Sequence, residues 1–374
     1  MNKKLLMIVN VDHFFLSHRK DIALSAQREG WDVKIVCKDT GRRKEVEDLG
    51  LEMIELPINP TGSNPLEEFK TFLFLLKLYK IQKPDVVHHV GLKIILWGGL
   101  AAKLVKVKGV VNAVSGLGVL FSGDSYGLAA RMTIRVMRFS CRRRGVSQIF
   151  QNQEDMQLFR DLRIASQEQC EFIKGSGVDL QEYAYTPEPP APPVRVVFSA
   201  RMLREKGVVT LIKAAEILRD EMQDKVIFML CGGLYDNPKG IKEHELRAWC
   251  DGKYIQWLGY RSDMRQFLMQ SHIVTLPSYY REGVPRSLIE ATAIGRPIVT
   301  TRSYGCKDTV DDGENGFLVS PKNEVELADR LRTLINDKQL RVRMGEKGRK
   351  KAEAEFSIDH VIKRHLEIYS AFFS

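Results

Sequence analysis

Residues Thr186–Pro193 read TPEPPAPP, five prolines in eight positions. Proline fixes φ and lacks an N–H, so this run forms neither a helix nor an inner strand. It reads as a stiff extended connector over 187–193. On both sides of it, short apolar β-rich runs alternate with helical patterns. Before it, Leu5–Asn10, Val33–Cys37, Met53–Leu56, Val86–Val90, Val110–Val114 and Gln148–Phe150 read as strands. They are almost continuously apolar, as in a parallel sheet covered on both faces. The helix-period segments between them are Arg19–Glu29, Arg42–Leu49, Leu66–Gln82, Leu92–Val105 and Leu128–Arg144. After the prolines the alternation restarts with strands at Val194–Ser199, Val226–Cys231, Ile255–Leu258, Ile273–Leu276, Ile298–Thr300 and Phe317–Val319. Glu324 to Ser374 is almost wholly helical, with breaks near Asp337 and Ser357. This pattern is that of doubly wound α/β domains. The expected organisation is two Rossmann-like domains, 1–186 and 194–356, facing a central cleft. The C-terminal helix, about 357–374, is a candidate to pack back on the first. In such sheets ligands sit beyond the carboxyl ends of the strands.

The chain has 374 residues, 44% hydrophobic and 28% charged, an ordinary globular composition that excludes disorder, collagen and coiled coil. Its six cysteines are spread out, with no C-x-x-C pair, and no signal peptide precedes the first apolar run. Reduced thiols in the cytoplasm are the expectation. No stretch has the ~20 apolar residues that cross a bilayer; the most apolar helical segment, Phe69–Ile81, carries Lys70, Lys77 and Lys80. Lys and Arg total 57 against 47 acids, a net charge of +10. Nucleic acid, anionic headgroups and phosphorylated small molecules are all partners that such a surplus suits.

The stretch richest in chemistry is Leu276–Glu290, LPSYYREGVPRSLIE. A buried strand gives way to a polar loop, and Pro285 suits the first turn of a helix. Were the whole interval helical, Glu282 and Glu290 would lie ~12 Å apart along the axis. That separation suits two carboxylates holding hydroxyls at opposite ends of a nucleotide sugar. The N–H groups of Gly283, Val284, Ser287 and Leu288 between them form a natural diphosphate cradle at a helix start. Alone, these two acids read equally well as a solvated loop residue and an amphipathic-helix glutamate. A second element, Ser199–Gly207 (SARMLREKG), follows the first strand after the prolines. Arg201 and Lys206 would sit where a leaving diphosphate develops charge, unless they are only a basic surface turn.

Together these segments resemble the donor-binding domain of family 4 glycosyltransferases, which have the two-domain GT-B fold. The matching pieces are R-x4-K-G (Arg201, Lys206, Gly207), LGYRSDM (Leu258–Met264), LPSYYREGVPRSLIE, A-x-GRPIV (Ala293–Val299) and GENGFLV (Gly313–Val319). The resemblance implies that Glu282 touches hydroxyls of the donated sugar and that Glu290 holds the ribose. It places Arg201 and Lys206 on the diphosphate and the base near Tyr260, Arg261 and Met264. It implies a retaining transfer in which the departing phosphate takes the acceptor proton. The nucleotide sugar, expected to be UDP-linked, is a substrate, and no cofactor is implied. The sequence contains no D-x-D triplet and no convincing metal cluster, so leaving-group charge is expected to be met without a metal.

In the first half, Asn10–Arg19 lacks the glycine-rich loop of many relatives and resembles the FFxSHR version of bacterial capsule, O-antigen and lipid-linked oligosaccharide enzymes. His18 and Arg19 are expected to open a helix and face the acceptor. Lys93 and the Ser115–Gly118 segment, with Ser115 and Gly116, are further acceptor candidates. His88 and His89 are adjacent on a strand and point to opposite faces, so they cannot form a metal pair. Leu128–Arg144 repeats arginine at helical spacing among apolar residues. Such a helix lies in an anionic headgroup region or packs on the sheet with a solvated face. The expected partners are a nucleotide-sugar donor, a polyprenyl-diphosphate-linked saccharide and the anionic inner leaflet, with peripheral association from the cytoplasm. The rivals are a family 4 enzyme with a soluble acceptor and a basic nucleic-acid-binding protein, which no recognisable motif supports.

Overall fold

A computed structural model describes residues 3–60, 62, 64–117, 127–235 and 240–373. The chain forms two compact units, Met1–Ser176 with Ile358–Ser374, and Gly177–Ser357. The first unit runs β1 (Lys4–Val11), α1 (Asp12–His18), α2 (Lys20–Arg28), β2 (Asp32–Lys38), α3 (Arg43–Glu47), β3 (Glu52–Glu55), α4 (Pro65–Gln82) and β4 (Val86–Val90). It continues with α5 (Leu92–Val105), β5 (Gly109–Val114), α6 (Leu128–Cys141), β6 (Val146–Phe150), α7 (Gln153–Asp161) and β7 (Cys170–Phe172). The seven strands pair in parallel in the order β3-β2-β1-β4-β5-β6-β7. Valine and isoleucine on both faces of β1, β4 and β5 are buried, one face under α4, α5 and α6 and the other under α2. Local chemistry sets the helix limits. Asn64 accepts from the Leu66 N–H at 3.0 Å ahead of Pro65, and Lys83 ends α4 in the left-handed region ahead of Pro84.

One expectation about β1 is corrected here. The stretch after it is helical from Asp12, so His18 closes α1 instead of opening a helix, and Arg19 joins α1 to α2. The early start follows from Asp12, which is buried. Its carboxylate accepts from the N–H groups of His13 (2.6 Å), Thr40 (2.6 Å) and Arg42 (3.1 Å), and from the Thr40 hydroxyl. Burial alone would raise this carboxyl's pKa, but those hydrogen bonds outweigh it and hold it below the usual value.

The second unit runs β8 (Val194–Ser199), α8 (Val208–Met222), β9 (Val226–Cys231), α9 (Glu243–Trp249), β10 (Ile255–Trp257), α10 (Met264–Met269) and β11 (Ile273–Leu276). It ends with α11 (Arg286–Ile294), β12 (Ile298–Thr301), β13 (Gly316–Val319), α12 (Glu324–Asn336) and α13 (Lys338–Glu355). Its parallel sheet has the order β10-β9-β8-β11-β12-β13.

The proline run is not the connector expected from its composition. The units divide at Ser176/Gly177, and 186–193 belongs to the second unit. A buried arginine explains this. The Arg296 guanidinium, in the A-x-GRPIV segment, donates to the carbonyls of Thr186 (2.6 Å), Pro187 (3.4 Å), Leu268 (3.2 Å) and Met269 (2.7 Å). Proline carbonyls have no strand partner to satisfy and are available to such a donor. His272 Nε2 lies 3.1 Å from the Pro189 carbonyl, and Arg341 forks onto Glu188 with two contacts of 2.9 Å.

The last helix, α14 (Ile358–Ala371), belongs to the first unit and covers the sheet face beside α2. His88 and His89 divide between the two faces as strand alternation requires. His89 lies 2.9 Å from the Tyr79 hydroxyl and 2.8 Å from Asn112 Oδ1 on the α4 side. His88 Nδ1 lies 2.6 Å from the Tyr369 hydroxyl on the α14 side, and its ring stacks on His365 with centroids 5.4 Å apart. Burial drives the His88 pKa far down, with the His365 and Arg19 charges adding to the effect. It takes His365 down to about 3. Below about pH 6.5 the unfolded chain protonates these rings and the folded one does not, so stability is lost as the pH falls. Thermal unfolding followed from about pH 7 to about 4.5 should show a falling midpoint, with a shallower slope for His365→Gln. Equal slopes would rule the cluster out as the cause.

Candidate functional site

The strand order of the second sheet reverses between β8 and β11, and such a reversal opens a crevice at the carboxyl ends of the two strands. The loop after β8 carries Arg201, Lys206 and Gly207, and the loop after β11 carries Ser278 to Pro285. The two basic residues and Glu282 are therefore placed by topology, not by sequence proximity.

Lys206, on a single 3-10 turn (Arg204–Lys206), makes an ion pair with Glu282, each side chain 12% exposed. The other Glu282 oxygen accepts from the Ser278 hydroxyl at 2.6 Å, and the Tyr280 N–H donates to Ser278 Oγ at 3.2 Å. A further bond from the Tyr279 N–H to the Glu205 carbonyl, 2.9 Å, ties the two loops together. They approach so closely that a Cβ on Gly207 would lie 2.1 Å from the Pro277 carbonyl, and the residue's φ is +84°; only glycine fits. From the β12 side Gly305 presses in, where a Cβ would meet the Gly283 carbonyl at 1.9 Å. Beneath the site Cys306 is buried, which pushes its thiol up to about 12, with the Glu282 charge adding to the rise; it stays protonated and is no nucleophile. Arg201 stands apart from this pair. It is exposed, with its guanidinium 4.5 Å from the Tyr235 ring and no ion pair among the described residues.

Glu290 lies on the first turns of α11, where Arg286 Nε donates to it at 2.7 Å. The Tyr183 phenol is held protonated by burial, the Glu290 charge and a hydrogen bond with it. Pro285 is the residue before the helix, not its first turn. The cradle expected from Gly283 to Leu288 is shorter than its sequence span. The Leu288 N–H already donates to the Pro285 carbonyl at 3.1 Å, and Pro285 has no N–H. Gly283 and Val284 lie in the loop between Glu282 and the helix, and Ser287 is in its first turn.

Tyr260, 74% exposed, projects from the loop after β10, its Cβ beside Gly233 at the end of β9. Arg261 is fixed by a fork onto Asp263 (2.9 and 2.8 Å), and Met264 opens α10. Sequence reading missed Ser278, Arg286, Tyr183 and Tyr235. Only Arg286 had a readable signal, its i,i+4 spacing to Glu290.

In the first unit the reversal falls between β1 and β4. The His18 ring stacks on Phe14 with centroids 4.1 Å apart, and its Nδ1 lies 2.7 Å from the Ser17 hydroxyl. Arg19 is buried, and its charge acts on His88, His365 and Tyr369, on the α14 side of the sheet. Lys93 directs its ammonium to the carbonyls of Asn59 (2.7 Å) and Gly62 (2.6 Å) and to Glu68 (2.6 Å), so all three of its donors are in use. Ser115 and Gly116 follow β5, Gly116 with φ +116°, whereas Gly118 lies outside the described residues. Asn10, at the carboxyl end of β1, keeps a buried Oδ1 without a partner among the described residues, a polar atom no sequence motif flagged.

Each unit is thus a parallel α/β sheet with two loops at its switch point, and the second carries a Lys–Glu–Ser cluster ahead of a helix start. Residues 186–351 match the family described as Glycosyl transferases group 1, and residues 4–153 match Glycosyl transferase 4-like. The chain belongs to the family 4 glycosyltransferases and has their GT-B fold. It is 26% identical over 352 residues, 90% of each chain, to the N,N'-diacetylbacillosaminyl-diphospho-undecaprenol alpha-1,3-N-acetylgalactosaminyltransferase of Campylobacter jejuni. It is 22% identical over 354 residues to the UDP-Gal:alpha-D-GlcNAc-diphosphoundecaprenol alpha-1,3-galactosyltransferase of Escherichia coli, covering 91% of this chain and 89% of that one. Among solved structures, Anabaena Alr3699/HepE in complex with UDP superposes with a TM-score of 0.78 at 19% identity, over 99% of this chain and all of that one.

Proposed function

We propose that the protein moves a hexose or N-acetylhexosamine from a UDP-linked donor to a saccharide carried on a polyprenyl diphosphate. The product would serve capsule, O-antigen or related glycan assembly at the cytoplasmic face of the membrane. The observation that carries this reading is the Lys206–Glu282–Ser278 cluster at the switch point of the second sheet, one loop away from Arg286–Glu290. The acceptor class rests on the Campylobacter and Escherichia relatives, both named for transfer to undecaprenyl-diphosphate-linked sugars. The Anabaena complex with UDP supports the donor class.

In this reading the diphosphate lies against the start of α11, and Glu282 accepts from hydroxyls of the sugar. As the C1–O bond breaks, its electron pair goes to the diphosphate, where Lys206 and Arg201 neutralise the growing charge. The acceptor oxygen bonds to C1 on the face the diphosphate leaves, and its proton passes to the departing phosphate oxygen. The anomeric configuration is thereby retained. In this reading Lys206 and Arg201 do the work that a divalent ion would otherwise perform, so EDTA should leave turnover unchanged; a tenfold loss restored by magnesium would overturn metal independence.

The reading is tested with a panel of UDP-sugars and synthetic lipid-diphosphate-linked sugars, following UDP release and the anomeric coupling of the product. One UDP-sugar should be consumed and an α-linked product formed. A β-linked product would remove the retaining assignment. Full turnover on water-soluble sugars with none on lipid-linked ones would remove the acceptor assignment.

A further inference from the structure

Helices α4, α5 and α6 lie side by side over one face of the first sheet, and their outer surface is unusual. Of the fifteen large apolar side chains exposed among the described residues, eight are on these three helices. On α4 the outward stripe is Leu66, Phe69, Leu73 and Ile81, with Lys70, Lys77 and Lys80 between them. On α6 it is Leu128 (80% exposed), Met132 and Phe139, interleaved with Arg131, Arg135 and Arg138. The central helix α5 adds Leu104 and half-buried Leu96 and Trp97. Normally the solvent face of a surface helix is polar and mixed in sign.

The charges are as one-sided as the apolar residues are exposed. The three helices carry eight lysines and arginines against two glutamates, both in the first turn of α4. One of these, Glu68, is engaged by Lys93 and the Trp97 indole. Lys70, Lys77, Lys80, Arg131 and Arg135 make no ion pair among the described residues. The outer helices of the second unit differ, with Arg332 on Glu221 at 3.0 Å and Lys213 on Glu324 at 3.3 Å.

We infer that the α4–α5–α6 face is a docking surface for an anionic lipid bilayer. Leucine, phenylalanine and methionine side chains enter the boundary between headgroups and acyl chains, and the long basic side chains reach out beside them to the phosphates. Self-association through the same face would set arginines of one copy against those of the other, which like-charge repulsion opposes. An anionic headgroup layer complements the whole face at once. For its purpose the inference rests on the lipid-linked acceptor reading, since an enzyme held on the leaflet meets its acceptor there.

The experiment is cosedimentation of the full-length protein with vesicles of phosphatidylglycerol and phosphatidylethanolamine, and with vesicles of phosphatidylcholine alone. The protein should partition onto the anionic vesicles and not onto the zwitterionic ones. Arg131→Gln with Arg135→Gln should weaken partitioning by about fivefold per arginine, and Phe69→Glu with Leu73→Glu by roughly tenfold or more. Lys213→Gln with Arg332→Gln on the second unit should change nothing. Circular dichroism and the thermal midpoint verify that each variant is folded. No binding to anionic vesicles, or equal binding by wild type and both α4 and α6 variants, overturns the inference. So does a dimer in sedimentation equilibrium that the α4 variant abolishes, since a second copy would then be the occupant. Transfer to a lipid-linked sugar without vesicle binding would sink this surface and leave the proposed reaction standing. Vesicle binding with transfer only to soluble sugars would do the reverse.

Discussion

Glu282→Gln is expected to reduce sugar transfer by at least ~10²-fold while leaving the protein folded. Glutamine keeps an oxygen for the Ser278 hydroxyl and nearly the same volume, so what it removes is the negative charge paired with Lys206. In the proposed reaction that charge grips sugar hydroxyls and sets the position of the lysine. Lys206→Met should cost more, ~10³-fold, because it also removes a cation from the departing diphosphate. The two side chains act as one unit, so the double variant should fall little below Lys206→Met alone. Steady-state rates with a saturating lipid-linked acceptor read this directly. Undiminished transfer by Glu282→Gln would refute the assignment, and strictly multiplicative losses would show that the pair does not act together.

Arg341→Met should destabilise the second unit by about 3–5 kcal/mol. Arg341 is 3% exposed at its side chain and Glu188 8%; their fork has two contacts of 2.9 Å. The same guanidinium donates to the carbonyls of Leu334 (2.7 Å) and Ile335 (3.0 Å) at the end of α12. Methionine fills comparable space but leaves a buried carboxylate and two carbonyls without their donor, and the stranded carboxylate accounts for most of the cost. Adding Glu188→Leu should therefore recover a large part of the loss, since an apolar pair is often no worse than a buried ion pair. Urea unfolding of the wild type, the single variant and the double variant measures both steps. A single-variant change below about 1 kcal/mol would show that the pair is solvated in solution.

The fold was legible because parallel strands buried on both faces announce themselves as apolar runs, and each strand read from Leu5 to Phe317 is present. The segments around Lys206 and Glu282 stood out only together, since either alone reads as a basic surface turn or a solvated acid. Less readable was whatever depended on contacts distant in sequence. The prolines of 187–193 look like a stiff connector between domains until Arg296 and Arg341 are seen to bind their neighbours, more than a hundred residues away. Arg19 reads as a basic residue at a helix start; only the placing of β4 and α14 makes it a buried charge. Lys93 looked available for a phosphate because the carbonyls of Asn59 and Gly62 that occupy it come from a loop with no pattern of its own.

The first unit is completed only by α14, and the contact between His88 and Tyr369 spans 281 positions. Chain synthesis runs from the amino terminus, so the continuous segment Gly177–Ser357 can condense while the ribosome is still at work. The earlier-made sheet must meanwhile wait with the part of one face beside α2 uncovered. The part of its apolar face that α14 covers stays exposed until that helix is made, and a chain cut before Ile358 would leave it so. Birth order and finishing order are thus reversed for this unit, and Ile358–Ser374 decides whether Met1–Ser176 matures.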